Sequence, residues 1–276
     1  MNSDRGGLDE VSLHSFTHLD DMPDIADYIR ALEIFDAQKE MQELKSIAIE
    51  RTGVSSGTSI LDVGCGFGLE TLRLAQLLGP GERMAGIDKS ASFIAEAQRR
   101  AAEAGRAIDF RQGDAMALPY TKASFDIGRA ERLLIYLDDP ERAISELRRV
   151  VRAGGRIALI EPDVETNTIN VDDRTLVRRI LRHECDVGVP NAWLVRRLGA
   201  MLEDLGFTGI EIATRVVIFD QALAAGYFAK LGVSARQAGV IGDEDLAHWT
   251  GAIAELRGRG RLFCTIGYFL FTAIRA

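Results

Sequence analysis

Between residues 58 and 161 the chain alternates short, continuous apolar runs with segments of helical spacing. The runs are Ser59–Val63, Met84–Asp88, Ile108–Arg111, Phe125–Ala130 and Arg156–Glu161. Such runs, separated by helical patterns, predict parallel strands in βαβ units. The punctuation between them agrees. Ser90 is placed to cap a helix reaching Arg100, and Asp139 followed by Pro140 reads as an N-cap with proline at the first helical position. Gly154-Gly155 is expected to end that second helix and release the next strand. After Glu161 the rhythm changes. Residues 162–190 read as a polar stretch with one helix at Thr175–Cys185. A helix over Ala192–Leu205 closed by Gly206, a strand at Gly209–Val217, a largely helical insert over 219–258 and a last strand at Arg261–Ala273 follow. Residues 9–52 also read as helical, above all Asp24–Ile49. No internal repeat or low-complexity tract interrupts this order, and periodicity alone supports a parallel α/β protein.

Bulk properties narrow the classes. With 276 residues, 47% of them hydrophobic, the chain can bury a sizeable core. A formal net charge of −8 argues against nucleic-acid partners, which call for a basic face. No apolar run is long enough to span a bilayer; the longest, Ile266 to Ile274, reads as a buried strand. The polar, acidic start Met1-Asn2-Ser3-Asp4-Arg5 carries neither a secretory core nor an Arg-rich transit pattern, so a cytoplasmic protein without membrane attachment is expected. Cys65, Cys185 and Cys264 are too few and too scattered for a disulfide frame, and no metal constellation is visible.

The densest chemical signal is Ile60-Leu61-Asp62-Val63-Gly64-Cys65-Gly66-Phe67-Gly68, a strand running into a glycine-spaced turn. Glycine permits positive φ and close approach of a ligand. A helix pattern follows at once, and its N-terminal N–H groups would face whatever occupies the turn. The dinucleotide fingerprint needs glycine at the first, third and sixth turn positions. Leu69 stands where the last should be, and no Tyr-x-x-x-Lys pair is present, so a nicotinamide-dependent oxidoreductase is disfavoured.

The segment Leu61–Gly68 resembles the first motif of class I S-adenosylmethionine (SAM)-dependent methyltransferases. The resemblance continues in Gly86-Ile87-Asp88-Lys89-Ser90, in Gly113-Asp114-Ala115-Met116-Ala117-Leu118-Pro119, in Phe125-Asp126, in Asp139-Pro140 and in Arg149-Val150-Val151-Arg152-Ala153-Gly154-Gly155. Ala153 replaces the usual proline of the last turn. The nearest group is the ubiquinone- and menaquinone-biosynthesis type with its natural-product relatives, and the likeness is strong over residues 55–161. It implies an α/β, Rossmann-like, seven-stranded and mostly parallel sheet, the last strand antiparallel, with helical N-terminal and cap insertions. Residues 1–52 would form a helical cap, and 53–276 the SAM-binding domain with substrate-cap insertions at about 162–195 and 219–258.

The same resemblance implies site roles. Gly64, Cys65, Gly66 and Gly68 would supply the turn, with Cys65 acting through its backbone. Asp62 would fix the loop or face the cofactor's ammonium group. Asp88, with Lys89 beside it, would take the ribose hydroxyls. Gly113, Asp114 and Ala115 would hold the adenine. Arg129 would reach the methionyl carboxylate or a substrate acid, with a surface salt bridge to Glu131 as the equal alternative, and Tyr28 is the best match for a tyrosine that closes over the cofactor.

Methyl transfer needs a general base only when the acceptor must lose a proton. Asp163 and His183 are the candidates, with His18 and Glu161 behind them. Glu161-Pro162-Asp163 could equally shape the strand's exit, and the bland reading of His183 is a solvated helix face. Aromatics in the insertions (Phe16, Tyr28, Phe35, Trp193, Phe219, Tyr227, Phe228, Trp249) fit the walls of a pocket for a small, largely apolar acceptor, a secondary metabolite being the favoured class; for most of them, gluing cap helices to the sheet is the simpler account. A SAM-binding protein that catalyses a rearrangement or cyclisation would carry identical motifs. The long amphipathic N-terminal segment leaves a homo-oligomer open.

Overall fold

The structure, a computed structural model, describes residues 25–79 and 83–276. Its elements run α1 (Ala26–Asp36), α2 (Lys39–Thr52), β1 (Ile60–Val63), α3 (Leu69–Leu77), β2 (Met84–Asp88), α4 (Ala91–Glu103), β3 (Asp109–Gln112), β4 (Phe125–Glu131), α5 (Pro140–Val150), β5 (Val151–Ile169), α6 (Arg174–His183), α7 (Val195–Asp204), β6 (Phe207–Ile218), α8 (Gln221–Gln237), α9 (Asp243–Gly258) and β7 (Cys264–Arg275). His18 and Phe16 lie outside the described residues.

The strands form one sheet in the order β3-β2-β1-β4-β5-β7-β6. β1 pairs in parallel with β2 and with β4, and β4 with β5, so the chain order reverses at β1. Open α/β sheets place their ligands at such a switch, outside the carboxyl ends of the strands. There Asp62 stands opposite Arg129 and Val63 opposite Ala130. β7 runs against β5: Asn170 N donates to Phe263 O (3.2 Å), the Thr168 and Thr265 hydroxyls meet at 2.6 Å, and Gly267 N donates to Thr166 Oγ1 (2.7 Å). As residue numbers fall along one strand they rise along the other, which is the antiparallel last strand that the resemblance implied.

Every residue of β1 is buried, as expected of a strand covered on both faces. Ile60 packs with Leu74, Ala75, Leu78, Met84 and Ile127, while Cys65 and Phe110 pack with Ile94, Ala97 and Ala101 of α4. The expected caps are present. Phe93 N donates to Ser90 Oγ (3.1 Å), and Arg142 N to Asp139 Oδ1 (2.9 Å).

Two expectations about residues 150–190 need correction. Helix α5 already ends at Val150, and Gly154-Gly155 sits within β5. Val151 pairs with Phe125 but Arg156 pairs with Ile127, so the glycines lie in an irregularity of the β4–β5 ladder, with Gly154 at φ +71°. In addition, β5 does not stop at Glu161 but continues to Ile169. Its second half is polar in composition, yet Asp163 and Asn167 are buried and β7 supplies the pairing partner. A polar run becomes a strand here because a neighbour satisfies its backbone.

The chain divides into two compact units. One holds Glu43–Glu161, Leu194–Thr214 and Phe269–Ala276; the other holds Pro162–Trp193, Arg215–Tyr268 and the described residues before Glu43. In the second unit most of the aromatics read as pocket walls form a packed core. The Phe219 and Tyr227 rings stack at 5.6 Å, Phe228 meets Tyr227 edge-on at 5.0 Å, and Phe35 contacts Phe219 and Tyr268. Trp249 Nε1 donates to Phe228 O (2.7 Å). Among the described ones, Trp193 is the exception, 49% exposed.

In the first unit β4 lies tight under α5. A Cβ on Gly128 would stand 2.6 Å from Leu147 Cδ1 and 2.8 Å from Val151 Cγ2. Gly128→Ala should therefore destabilise by about 1–3 kcal/mol through overpacking. A lowered urea midpoint with an unchanged m-value is the expected readout, and an unshifted midpoint would contradict this packing.

Candidate cofactor site at the glycine turn

The turn after β1 holds Gly64, Gly66 and Gly68 at φ +72°, +53° and +80°, a left-handed backbone that side chains resist. Gly68 is the N-cap of α3 and offers no capping side chain, so the first turn of that helix begins with N–H groups available to a ligand. Gly64 N and Cys65 N donate to Ile87 O (2.8 and 3.0 Å). Asp88, at the end of β2, binds the turn directly: Oδ2 accepts from Gly66 N (2.8 Å) and Oδ1 from Ser90 N (2.9 Å). These two bonds fix the Asp88 carboxylate against the backbone of the glycine turn.

The neighbouring turn joins this constellation. Gly113 N donates to Asp88 O (2.9 Å), and a Cβ on Gly113 would meet Ile87 Cδ1 at 2.6 Å. Asp114 is exposed, its Oδ1 accepting from Met116 N (2.8 Å), and Ala115 is buried. Lys89 is exposed, and its carbonyl accepts from Gln112 Nε2 (3.1 Å). The Cys65 thiol is buried, and burial pushes it well above its ordinary range, so it is no nucleophile at neutral pH. Hydrogen bonds thus bring the glycine turn, Asp88 and the 113–115 turn together.

Asp62 and Arg129 form something else. Arg129 Nη1 donates to Asp62 Oδ1 (2.8 Å), and its Nη2 to Glu131 Oε2 (2.8 Å). Thr71 Oγ1 donates to Asp62 Oδ2 (2.6 Å), so Asp62 ties β1 to the first turn of α3. Lys45 Nζ lies 3.2 Å from both Glu131 Oε2 and Glu70 Oε2, with 2% of its side chain exposed. The salt bridge to Glu131 weighed for Arg129 is present, but it is buried rather than at the surface and it extends to Asp62. Burial pushes the Asp62 carboxyl up, opposed by Arg129 and Thr71. Burial works the same way on Glu131, but Lys45, Arg132 and Arg129 outweigh it and hold that group at about 2. Lys45 and Glu70 were missed in the sequence. Yet Met41, Leu44, Lys45 and Ala48 share one buried face of α2, so a lysine inside an apolar stripe was the available sign.

Glu161 is fully buried at the end of the apolar run of β5. Its Oε1 accepts from Leu133 N (3.0 Å) and Leu134 N (2.8 Å), while Oε2 has no hydrogen-bond partner among the described residues. Burial raises its pKa from 4.5 to about 7, against the pull of those backbone N–H groups.

The remaining candidates belong to the second unit. Asp163 Oδ1 accepts from Glu165 N (3.2 Å) and Asp163 O from Thr166 Oγ1 (2.6 Å), which shapes the strand locally. His183 is not on a solvated face: it is 8% exposed, with Nε2 3.3 Å from Ser234 Oγ. Tyr28 is buried on α1.

A methyltransferase domain family matches residues 61–159. Over these residues the chain matches a methyltransferase domain, carried on a sheet with the plan of the class I methyltransferase fold. An uncharacterised 37.1 kDa protein of transposon TN4556 from Streptomyces fradiae is 34% identical over 74% of the chain and 58% of its own length. Demethylmenaquinone methyltransferase from Lactococcus lactis is 38% identical over 41% of the chain and 45% of its own length. The chain thus spans about half the length of these relatives. Among solved structures, the [4+2]-cyclase SpnF superposes with a TM-score of 0.53 at 26% identity, covering 85% of this chain and 80% of that one. Among the described residues no helix is long and apolar enough to cross a membrane.

Two outcomes follow from the buried charges. Arg129→Met leaves Asp62 and Glu131 without their shared partner and should cost about 3–5 kcal/mol, measured by chemical denaturation. Glu161 binds a proton more tightly folded than unfolded, so its contribution is complete below about pH 4.5 and is lost as pH rises to about 7. The parent should therefore lose about 3 kcal/mol relative to Glu161→Gln across that window, and a pH-independent difference between the two would contradict the raised pKa.

Proposed function

We propose that the chain transfers a methyl group from SAM to a small, largely apolar organic acceptor, with a secondary metabolite as the favoured class. The observation that carries this reading is the Asp88 carboxylate, anchored on Gly66 N and Ser90 N beside three left-handed glycines. Asp88 is read as accepting from the ribose hydroxyls and Asp114, with the Ala115 backbone, as facing the adenine. The uncapped start of α3 favours a ligand's electron-rich atoms.

Arg129 is read as holding Asp62 in place rather than as a ligand for the methionyl carboxylate, because both terminal nitrogens already serve carboxylates. When bound, the cofactor supplies an electrophilic methyl group on a sulfonium for in-line displacement. The protein's part is to align donor and acceptor and exclude water. Where an acceptor must lose a proton, Asp163 and His183 are the proposed bases, and Tyr28 the proposed cover of the cofactor. The name of the L. lactis relative, which acts on a quinone, supports an apolar acceptor. A second reading, SAM binding with a cyclisation in place of transfer, is favoured by the likeness to SpnF.

Calorimetric titration with SAM and with its demethylated product should show saturable binding. Asp88→Ala should weaken SAM about 10- to 100-fold, the loss expected for charge-assisted hydrogen bonds. Absence of binding to both compounds would remove the reading. Incubation of methyl-labelled SAM with a panel of phenols and quinones separates the two activities: labelled product marks transfer, converted but unlabelled product marks the second reading.

A further inference from the structure

We propose that Glu161 is a positioning residue for the cofactor site: its carboxylate holds the turn after β4 so that Leu133 lies against Gly64 of the glycine turn. The inference rests on the reading of that turn as the SAM site. Three observations carry it. Glu161 Oε1 accepts from the backbone N–H groups of two successive residues, Leu133 and Leu134, so it grips the backbone of the turn. Leu133 covers Gly64, since a Cβ built there would stand 3.0–3.2 Å from Leu133 Cδ1, Cδ2 and Cβ.

The third concerns the approach to the turn. Arg132 adopts φ +50°, a left-handed conformation costly for a long side chain, and its N–H donates to Ile160 O (2.9 Å). The Ile160 carbonyl and the Glu161 carboxylate thus accept from the successive N–H groups of Arg132, Leu133 and Leu134, and the turn closes with Tyr136 N donating to Leu133 O (3.0 Å). A strained residue persists only where its surroundings over-determine it. The carboxylate of Glu161 is part of that determination. The partnerless Oε2 explains why glutamine is the conservative replacement: one oxygen still accepts from both N–H groups, and no charge has to be buried.

The experiment compares Glu161→Met, Glu161→Gln and Leu133→Ala with the parent by circular dichroism, amide exchange over residues 129–137 and calorimetric SAM titration. Glu161→Met should lose exchange protection in that segment and bind SAM about tenfold more weakly or worse, with glutamine restoring most of both. Leu133→Ala should weaken SAM by a similar factor with Glu161 intact, and the double variant should lose clearly less than the product of the single losses, because both act through one contact. A folded Glu161→Met protein with unchanged exchange, or with SAM affinity within about twofold of the parent, would overturn the proposal. If Glu161→Met does not fold, unaltered SAM binding by Leu133→Ala overturns it equally. A parent that binds no SAM at all removes the methyltransferase reading, and the clamp on the turn then stands or falls on amide exchange alone.

Discussion

The constraint on which the site depends is a chain of charges buried beneath it. Asp62, Arg129, Glu131, Lys45 and Glu70 follow one another at 2.8–3.2 Å, from the strand before the glycine turn to the helix after it. Taking these groups out of water is expensive, and their mutual attraction repays that cost only in one arrangement. The return is therefore geometrical more than energetic. β1, β4, α2 and α3 must keep one spacing for every carboxylate to meet its cation, and that spacing sets where the glycine turn begins and where α3 points.

On this base, two carboxylates act as backbone clamps. Asp88 holds Gly66 and Ser90, joining the turn after β1 to the turn after β2. Glu161 holds Leu133 and Leu134, in the turn after β4. Backbone N–H groups in loops at strand ends lack ladder partners, and a side-chain carboxylate from an adjacent strand is the economical acceptor. Loops fixed in this way need little reordering when a ligand arrives, which favours affinity. The second unit is organised by different physics: stacked and edge-on aromatic rings around Tyr227, with Asn167 Nδ2 donating to its hydroxyl (3.0 Å).

Much of the first unit was legible in the chain. Met84–Asp88 matches its strand end for end, and Ser90 and Asp139 cap the helices they were assigned. Local signals of this kind depend on a residue and its near neighbours, so they survive in any context. The errors share the opposite cause. Residues 162–169 read as a polar stretch because their composition is polar, but β7 comes from about a hundred residues away to pair with them. The solvated helix face that is the bland reading of His183 fails for the same reason, because α8 brings Ser234 against it.

The sequence by itself determined the α/β plan and the glycine turn, and it placed Asp88 and Asp114 in motifs that resemble those of one cofactor class. These follow from backbone conformation, capping and motif spacing, all short-range properties. Only the tertiary structure decided that Arg129 pairs with Asp62 and Glu131, that Lys45 bridges two glutamates from inside an apolar stripe, and that Glu161 grips the turn over Gly64. The reason is electrostatic. What a buried charge does is set by the groups that share its low-dielectric surroundings, and those come together from positions that no local pattern connects.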